Sequence, residues 1–214
     1  MTAPRRALLV VDVQQDYFEG PLAIGFPPVD DALANILDAV DAASRGGVPV
    51  VIVQHCNPEG AALFATGSPG WELHPRLAAV VDGSCKRVSK SSASCFDGTG
   101  LAGWLREHGV DTITLVGFMT NNCVLATAAA AAPLGLSAEV LSDATGVIHL
   151  ANEAGAVTAE ELQRTLLVLL QSNFAAVAGT ADWKGAVAAS TPLARSNLAA
   201  SATRGRLLPA GPRS

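Results

Sequence analysis

The chain is poor in charge and in aromatic rings. Charged residues make up 15% of it and Phe, Trp and Tyr together 5%, with a single tyrosine among 214 residues. A nucleic-acid surface needs clustered cations and stacking rings, so this balance, a formal charge of -5 and a pI near 5.3 exclude that class. The loose basic residues Arg195, Arg204, Arg206 and Arg213 lie in a Ser/Ala/Gly/Pro-rich tail and make no patch. Cysteine is scarce too: Cys56, Cys85, Cys95 and Cys123 contain no CxxC pair, which excludes a dense disulfide framework and suits free thiols in a cytoplasmic protein. Long apolar runs are missing. The first, Ala7–Val11, is cut by Asp12, too short for an export signal and far short of the ~20 residues of a membrane span, so no membrane partner is expected. Also missing is a G-x-G-x-x-G turn after that run. Gln14, Gln15 and Asp16 stand there instead, which removes a dinucleotide-binding domain from consideration.

What remains is half apolar and alternates between two periods. Ala7–Val13, apolar but for the acid near its end, and Val48–Gln54 are stretches of strand length, the pattern of parallel strands buried on both faces. Between them Leu33, Ile36, Leu37 and Val40 follow helical spacing after a cap at Asp30 or Asp31, and Gly46 stops the helix. Lys86–Ser89, Thr112–Val116, Ala138–Leu141 and Phe174–Ala178 read as four further short strands. Leu101, Trp104, Leu105 and His108 line one helix. An Ala-rich helix opens near Cys123 after a turn at Gly117 and ends at Pro133 and Gly135. Thr158 and Glu161 make a capping box for a fourth, whose apolar side is read as Leu162, Leu166, Leu169 and Leu170. Ala181–Ala189 reads as one more. The stretch from His55 to Pro75, an irregular excursion of about twenty residues, carries Phe64 and Trp71, and a loop that long in a compact domain usually has a task. No internal repeat is visible.

Alternating strands and helices predict an α/β fold: a doubly wound, six-stranded, mostly parallel sheet in order 3-2-1-4-5-6 with helices on both faces. Residues 1–189 form the domain, and 190–214 are expected to be a flexible or oligomer-contacting tail. In that order strands 1 and 4 are neighbours, and ligands bind beyond their carboxyl ends at the switch point. Asp12 ends strand 1, Cys123 follows strand 4 and Lys90 follows strand 3, so topology can bring an acid, a thiol and an amine together. A carboxylate can take a thiol's proton while an ammonium steadies both anions. A cysteine in a first helical turn is also expected to have a lowered pKa. Singly, each residue has an ordinary structural role available: a core thiol, a turn cap, a surface lysine. Asp16 is expected to brace its loop through backbone hydrogen bonds.

Four motifs, VVDVQQDY (10–17), KSSASCFDGTGL (90–101), VGFMTNNCV (116–124) and SDA (142–144), give the chain a resemblance to the isochorismatase-like cysteine hydrolases. That superfamily includes nicotinamidases, N-carbamoylsarcosine amidase and ureidoacrylate amidohydrolases, and the likeness runs over nearly all of residues 5–185. It implies Asp12, Lys90 and Cys123 as the catalytic residues, a cis peptide at Phe118–Met119, and the N–H groups of Met119 and Cys123 as an oxyanion hole. It implies hydrolysis of a small amide, lactam, carbamoyl or ureido compound, and a homo-oligomer, dimer or tetramer. Tyr17, His55, Trp71 and Phe118 are the substrate-contacting candidates. The metal-binding nicotinamidases have Asp-x-His where this chain has His55-Cys56-Asn57, so no metal and no cofactor are expected, and His55 is read as lining or bracing the pocket. Relatives that cleave the vinyl ether of isochorismate lack the cysteine, so Cys123 argues for acyl chemistry. The alternatives are a non-catalytic thiol sensor or binding module on the same scaffold, or an ether hydrolase. The hydrolase reading requires a sulfur that solvent can reach.

Overall fold

Uninterrupted apolar runs become strands with no solvent face, and that is how this sheet is built. The computed structural model describes residues 3–208. Its main sheet contains β1 (Arg6–Val11), β2 (Val50–His55), β3 (Lys86–Lys90), β4 (Thr112–Phe118) and β5 (Ser137–Gly146). A small antiparallel hairpin of β6 (Leu150–Asn152) and β7 (Gly155–Val157) intervenes before the sixth member, β8 (Ala176–Ala178). The order is β3-β2-β1-β4-β5-β8 with every pairing parallel, as the alternation predicted once the hairpin is set aside. Every residue of β1 and of β4 is buried.

Side chains alternate across the sheet into two cores. Leu8 and Val10 point to one side, where α1 (Val29–Arg45) contributes Leu33, Ile36 and Val40. Ala7, Leu9 and Val11 point to the other. There α3 (Leu101–Glu107) supplies Leu101 and Leu105, and α4 (Leu125–Ala131) supplies Ala128 and Ala131. The remaining helices are α2 (Pro75–Ala78), α5 (Ala159–Leu169), α6 (Thr180–Ala188) and α7 (Leu198–Gly205). Trp183 of α6 is fully buried in the α1 core.

Several local expectations are corrected. Gly117 is not a turn: β4 runs through it to Phe118, and a Cβ there would lie 2.0 Å from the Val11 carbonyl oxygen, so glycine permits the close approach of β4 to β1. Helix α1 starts at Val29 with no side-chain cap, its Asp30 and Asp31 sitting in the first turn beside the helix dipole. The capping box of Thr158 and Glu161 is present, but α5 is rotated from the expected leucine face. Gln163 is buried, its amide donating to the Ser142 and Thr145 carbonyls, while Leu169 is 42% exposed. Anchoring a buried amide has outweighed burying one more leucine. The tail, read as lacking periodicity, contains α7, capped by the Asn197 side chain on the Ala200 N–H. The part of that tail from 209 to 214 lies outside the described residues.

Candidate active site

Three strand ends position the expected residues. Asp12 leaves β1 in the left-handed region (φ 51°), its N–H held by the Val53 carbonyl and its own carbonyl accepting from Gln14. Such a backbone is uncommon for a residue with a Cβ, though aspartate tolerates it better than most. Lys90 is the last residue of β3, in register with His55 at the end of β2. Cys123 lies beyond β4 in a wide π-type turn, Thr120–Val124, closed by the Val124 N–H on the Met119 carbonyl. The Phe118–Met119 peptide that leads into it is cis, as the resemblance implied.

These residues converge on one ammonium. Lys90 Nζ is 2.7 Å from Asp12 Oδ2, with both side chains fully buried. The same nitrogen is 3.1 Å from Cys123 Sγ, from His55 Nδ1 and from the Ser92 carbonyl. His55 Nε2 is 3.2 Å from Asn57 Oδ1. The consistent tautomer therefore carries its proton on Nε2, donating to Asn57, and leaves Nδ1 to accept from Lys90. Burial first, and then the neighbouring Lys90 charge, hold the His55 pKa below its usual value, which favours that neutral ring.

Burial sets the other protonation states. It opposes charge on Lys90, but Asp12 and Cys123 outweigh it and the ammonium titrates above its ordinary value. Burial lifts the Asp12 carboxyl above its ordinary 3.8 against the pull of Lys90. Among the described residues no well-formed hydrogen bond reaches either Asp12 oxygen apart from that ion pair, although the Cys123 side chain beside it also lowers its pKa. The thiol corrects the expectation of a lowered pKa: burial, and next the Asp12 charge, push Cys123 up to about 12. A first-turn dipole cannot offset removal from water, and the sulfur stands in a π-type turn ahead of α4. At rest the constellation is a thiol beside an ion-paired carboxylate.

Asp12, His55 and Cys123 each offer a ligand atom within 4.8 Å of the others, a spacing that would suit a cation. Lys90 Nζ lies within 3.1 Å of all three, so a cation is already supplied by the chain itself.

The remaining expected residues divide. Tyr17, 2% exposed, stacks obliquely on Phe64 and Phe118 at centroid distances of 5.1 and 5.6 Å, and Phe64 also meets the His55 ring at 5.4 Å. Burial, then the nearby Asp12 charge, keep the Tyr17 hydroxyl protonated. Phe118 is fully buried and belongs to the core. Trp71 anchors the long loop: its indole N–H donates to Cys56 Sγ (3.1 Å), and its carbonyl accepts from Gln14 and Gln54. Asp16, expected to brace its own loop, reaches across to this one instead: Oδ2 accepts the Phe64 N–H at 2.7 Å, and a Cβ at Gly70 would strike Oδ1.

Gln14 is the residue that sequence reasoning passed over. Fully buried, it exchanges two hydrogen bonds with the His55 backbone and donates a third to Trp71, tying the end of β1 to the end of β2 and to the loop. Its place in the QQD stretch was the available signal. The sulfur is nearly but not wholly covered: Cys123 is 2% exposed, and beside it in the chain or the site His55 and Asn121 are half-buried and Asn122 is exposed. A cavity of about 840 Å³ opens elsewhere, at the amino-terminal end of the sheet between Asp111, Ser137, Glu139 and Arg195. Its buried acid, Glu139, is already bonded to Arg6, Thr114 and Trp183, so the unsatisfied chemistry lies at the Asp12 end.

Comparison with known proteins places this arrangement. The isochorismatase domain model matches residues 6–182. The chain belongs to the isochorismatase family. It is similar to a solved candidate isochorismatase from Burkholderia xenovorans LB400, at 50% identity and a TM-score of 0.92 over 96% of this chain and 98% of that one. It is 31% identical to the nicotinamidase/pyrazinamidase of Mycobacterium tuberculosis, over 78% of this chain and all of that protein. A streptothricin hydrolase of Streptomyces noursei is 36% identical over 58% of this chain and 48% of its own length. The protein is thus an isochorismatase-family hydrolase, and among its described residues no helix is long and apolar enough to cross a membrane.

Proposed function

We propose that this family member hydrolyses the carbon–nitrogen bond of a small amide, lactam, carbamoyl or ureido compound through a thioester on Cys123. The supporting observation is the single ammonium of Lys90, 2.7 Å from a carboxylate and 3.1 Å from a thiol. With the thiol at about 12, a standing thiolate is not the nucleophile. Asp12, its proton affinity raised by burial, takes the thiol proton as sulfur attacks the carbonyl carbon. The N–H groups of Met119 and Cys123 receive the oxyanion, a contact of a kind whose loss costs on the order of 3 kcal/mol of barrier. As the tetrahedral adduct collapses, the C–N bond breaks and Asp12 returns its proton to the departing nitrogen. Water then gives a proton to Asp12 and adds to the thioester, the C–S bond breaks, and the sulfur recovers its proton. Lys90 stays charged throughout and holds carboxylate and sulfur in place.

Of the relatives above, one is a nicotinamidase/pyrazinamidase and one a hydrolase of streptothricin, which supports this class without fixing a substrate. Tyr17 and Phe64 supply an aromatic wall, and the near-complete cover of Cys123 favours a small acyl group that enters as side chains part. The test is a panel of small amides, lactams and ureido compounds assayed for ammonia or amine release and for carboxylate, with and without chelator. The proposal expects release by the native protein that chelator leaves unchanged and Cys123→Ala abolishes. Activity retained in Cys123→Ala, or reversible oxidation of the thiol with no turnover of any member, would overturn it.

A further inference from the structure

A line of hydrogen bonds runs from the long loop after β2 into the site. Asn57 Nδ2 donates to the Leu63 carbonyl at 2.9 Å, His55 Nε2 lies 3.2 Å from Asn57 Oδ1, and Lys90 Nζ lies 3.1 Å from His55 Nδ1. Both ends of this line have fixed polarity. A carbonyl only accepts and an ammonium only donates, so every proton between them points one way, from Lys90 towards Leu63. Turning the Asn57 amide over, or moving the ring proton to Nδ1, would set donor against donor or acceptor against acceptor at one of the three contacts.

The two middle groups are held by their own backbones. Gln14 exchanges two bonds with the His55 backbone. The Asn57 N–H donates to the Phe64 carbonyl, and its carbonyl accepts from the Thr66 N–H and hydroxyl. The loop residues Leu63, Phe64 and Thr66 therefore fix where the Asn57 amide stands, and the Phe64 ring lies against the His55 ring at 5.4 Å. The ammonium at the other end is short of protons, with three for Asp12, His55, the Ser92 carbonyl and Cys123. Which neighbour goes without decides how well the lysine steadies sulfur.

We propose that His55 and Asn57 are positioning residues for Lys90, and that they tie the order of the ammonium to the closure of the loop. The loop sets the Asn57 amide, the amide sets the His55 ring, and the ring takes one ammonium proton. A second stays on Asp12. The third rests on the Ser92 carbonyl while sulfur is a thiol, a weak acceptor, and its hydrogen bond turns to sulfur as negative charge develops there. This rests on the reading of Asp12, Lys90 and Cys123 as a hydrolase site.

Two substitutions at one position separate this role from packing. His55→Asn sets a carbonyl oxygen near the place of Nδ1 and keeps an acceptor for Lys90, whereas His55→Leu keeps apolar bulk and offers none. The kcat of His55→Asn is expected to exceed that of His55→Leu by roughly 10- to 100-fold, the scale of one hydrogen bond to a charged group. Asn57→Leu, close in size to the amide, should lower kcat by roughly 10-fold, whereas a residue that only anchored the loop would raise KM alone. Nitrogen-15 NMR of the His55 ring and the Lys90 ammonium needs no substrate. It is expected to show a proton on Nε2 alone in the native protein at neutral pH, and an ammonium signal that persists in His55→Asn and is lost to exchange in His55→Leu. A ring protonated on Nδ1, an ammonium signal untouched in His55→Leu, a His55→Leu protein that turns over as well as His55→Asn, or a pure KM effect at Asn57 would each overturn the proposal. A native protein that turns over no member of the panel removes the hydrolase reading instead, and the NMR result then decides the positioning by itself.

Discussion

Strand β1 begins and ends in a buried ion pair, and the two could hardly be finished more differently. At its start Arg6 grips Glu139 through Nε and Nη2, and the remaining acceptor capacity goes to the Thr114 hydroxyl and the Trp183 indole. At its end, roughly 20 Å away at about 3.3 Å per residue, Asp12 meets Lys90 and, among the described residues, gains no well-formed hydrogen bond besides. The Lys90 ammonium has three protons for four neighbours. The first pair is closed on itself and locks β1, β4, β5 and α6 together. The second is left short of partners beside a thiol, and that shortfall is what a proton-transfer site needs: an acid free to accept, held by a cation that does not move.

The comparison breaks most sharply if the two ends are disabled separately. Cys123→Ala should eliminate turnover and leave thermal unfolding near that of the native protein. Lys90→Met should eliminate turnover and also strand a buried carboxylate, at about 3–5 kcal/mol of stability. Glu139→Ala should cost a similar ~3–5 kcal/mol by leaving Arg6 unpaired, yet the molecules that remain folded should keep the native kcat. Denaturant titration paired with kcat on the folded fraction reads all three, and a Glu139→Ala enzyme with native stability would mean the closed pair is dispensable.

A smaller effect sharpens the electrostatic half. Asp12 must be ionised to accept the thiol proton, and its folded pKa is raised, so activity should fall as pH drops through a value above 3.8. The acid limb of kcat/KM is expected there, and a limb at or below the ordinary carboxylate value would show that another group is the base. Smaller still, Asp16→Ala removes the acceptor for the Phe64 N–H. A hydrogen bond to a charged group is worth about 1.5–3 kcal/mol, and its loss should loosen the 57–70 loop, raising KM more than it lowers kcat. Faster limited proteolysis in that loop is the structural readout.

Much of this was legible in the chain because the sheet is buried on both faces. The apolar runs at 7–11 and 50–53 read as interior strands, and their order placed Asp12 and Cys123 in one crevice. What escaped was whatever depends on depth. The hairpin β6–β7 is exposed except at Val157 and has no alternating pattern to betray it. The face of α5 was misread because its leucines outvoted one glutamine, and only the carbonyls of Ser142 and Thr145 reveal why that glutamine goes inside. The thiol pKa was read from a helix start alone, although burial is its larger cause. Gln14 looked like a departure from another motif until its three bonds to His55 and Trp71 were seen.

The most direct measurement is rapid-quench intact-mass analysis of the protein during turnover of whichever amide the panel identifies. The account predicts a transient mass increase equal to the acyl group, mapped to the Cys123 peptide and absent from Cys123→Ala. Product formed at full rate with no acyl adduct at any quench time, or an adduct on Cys56, Cys85 or Cys95 instead, would contradict it.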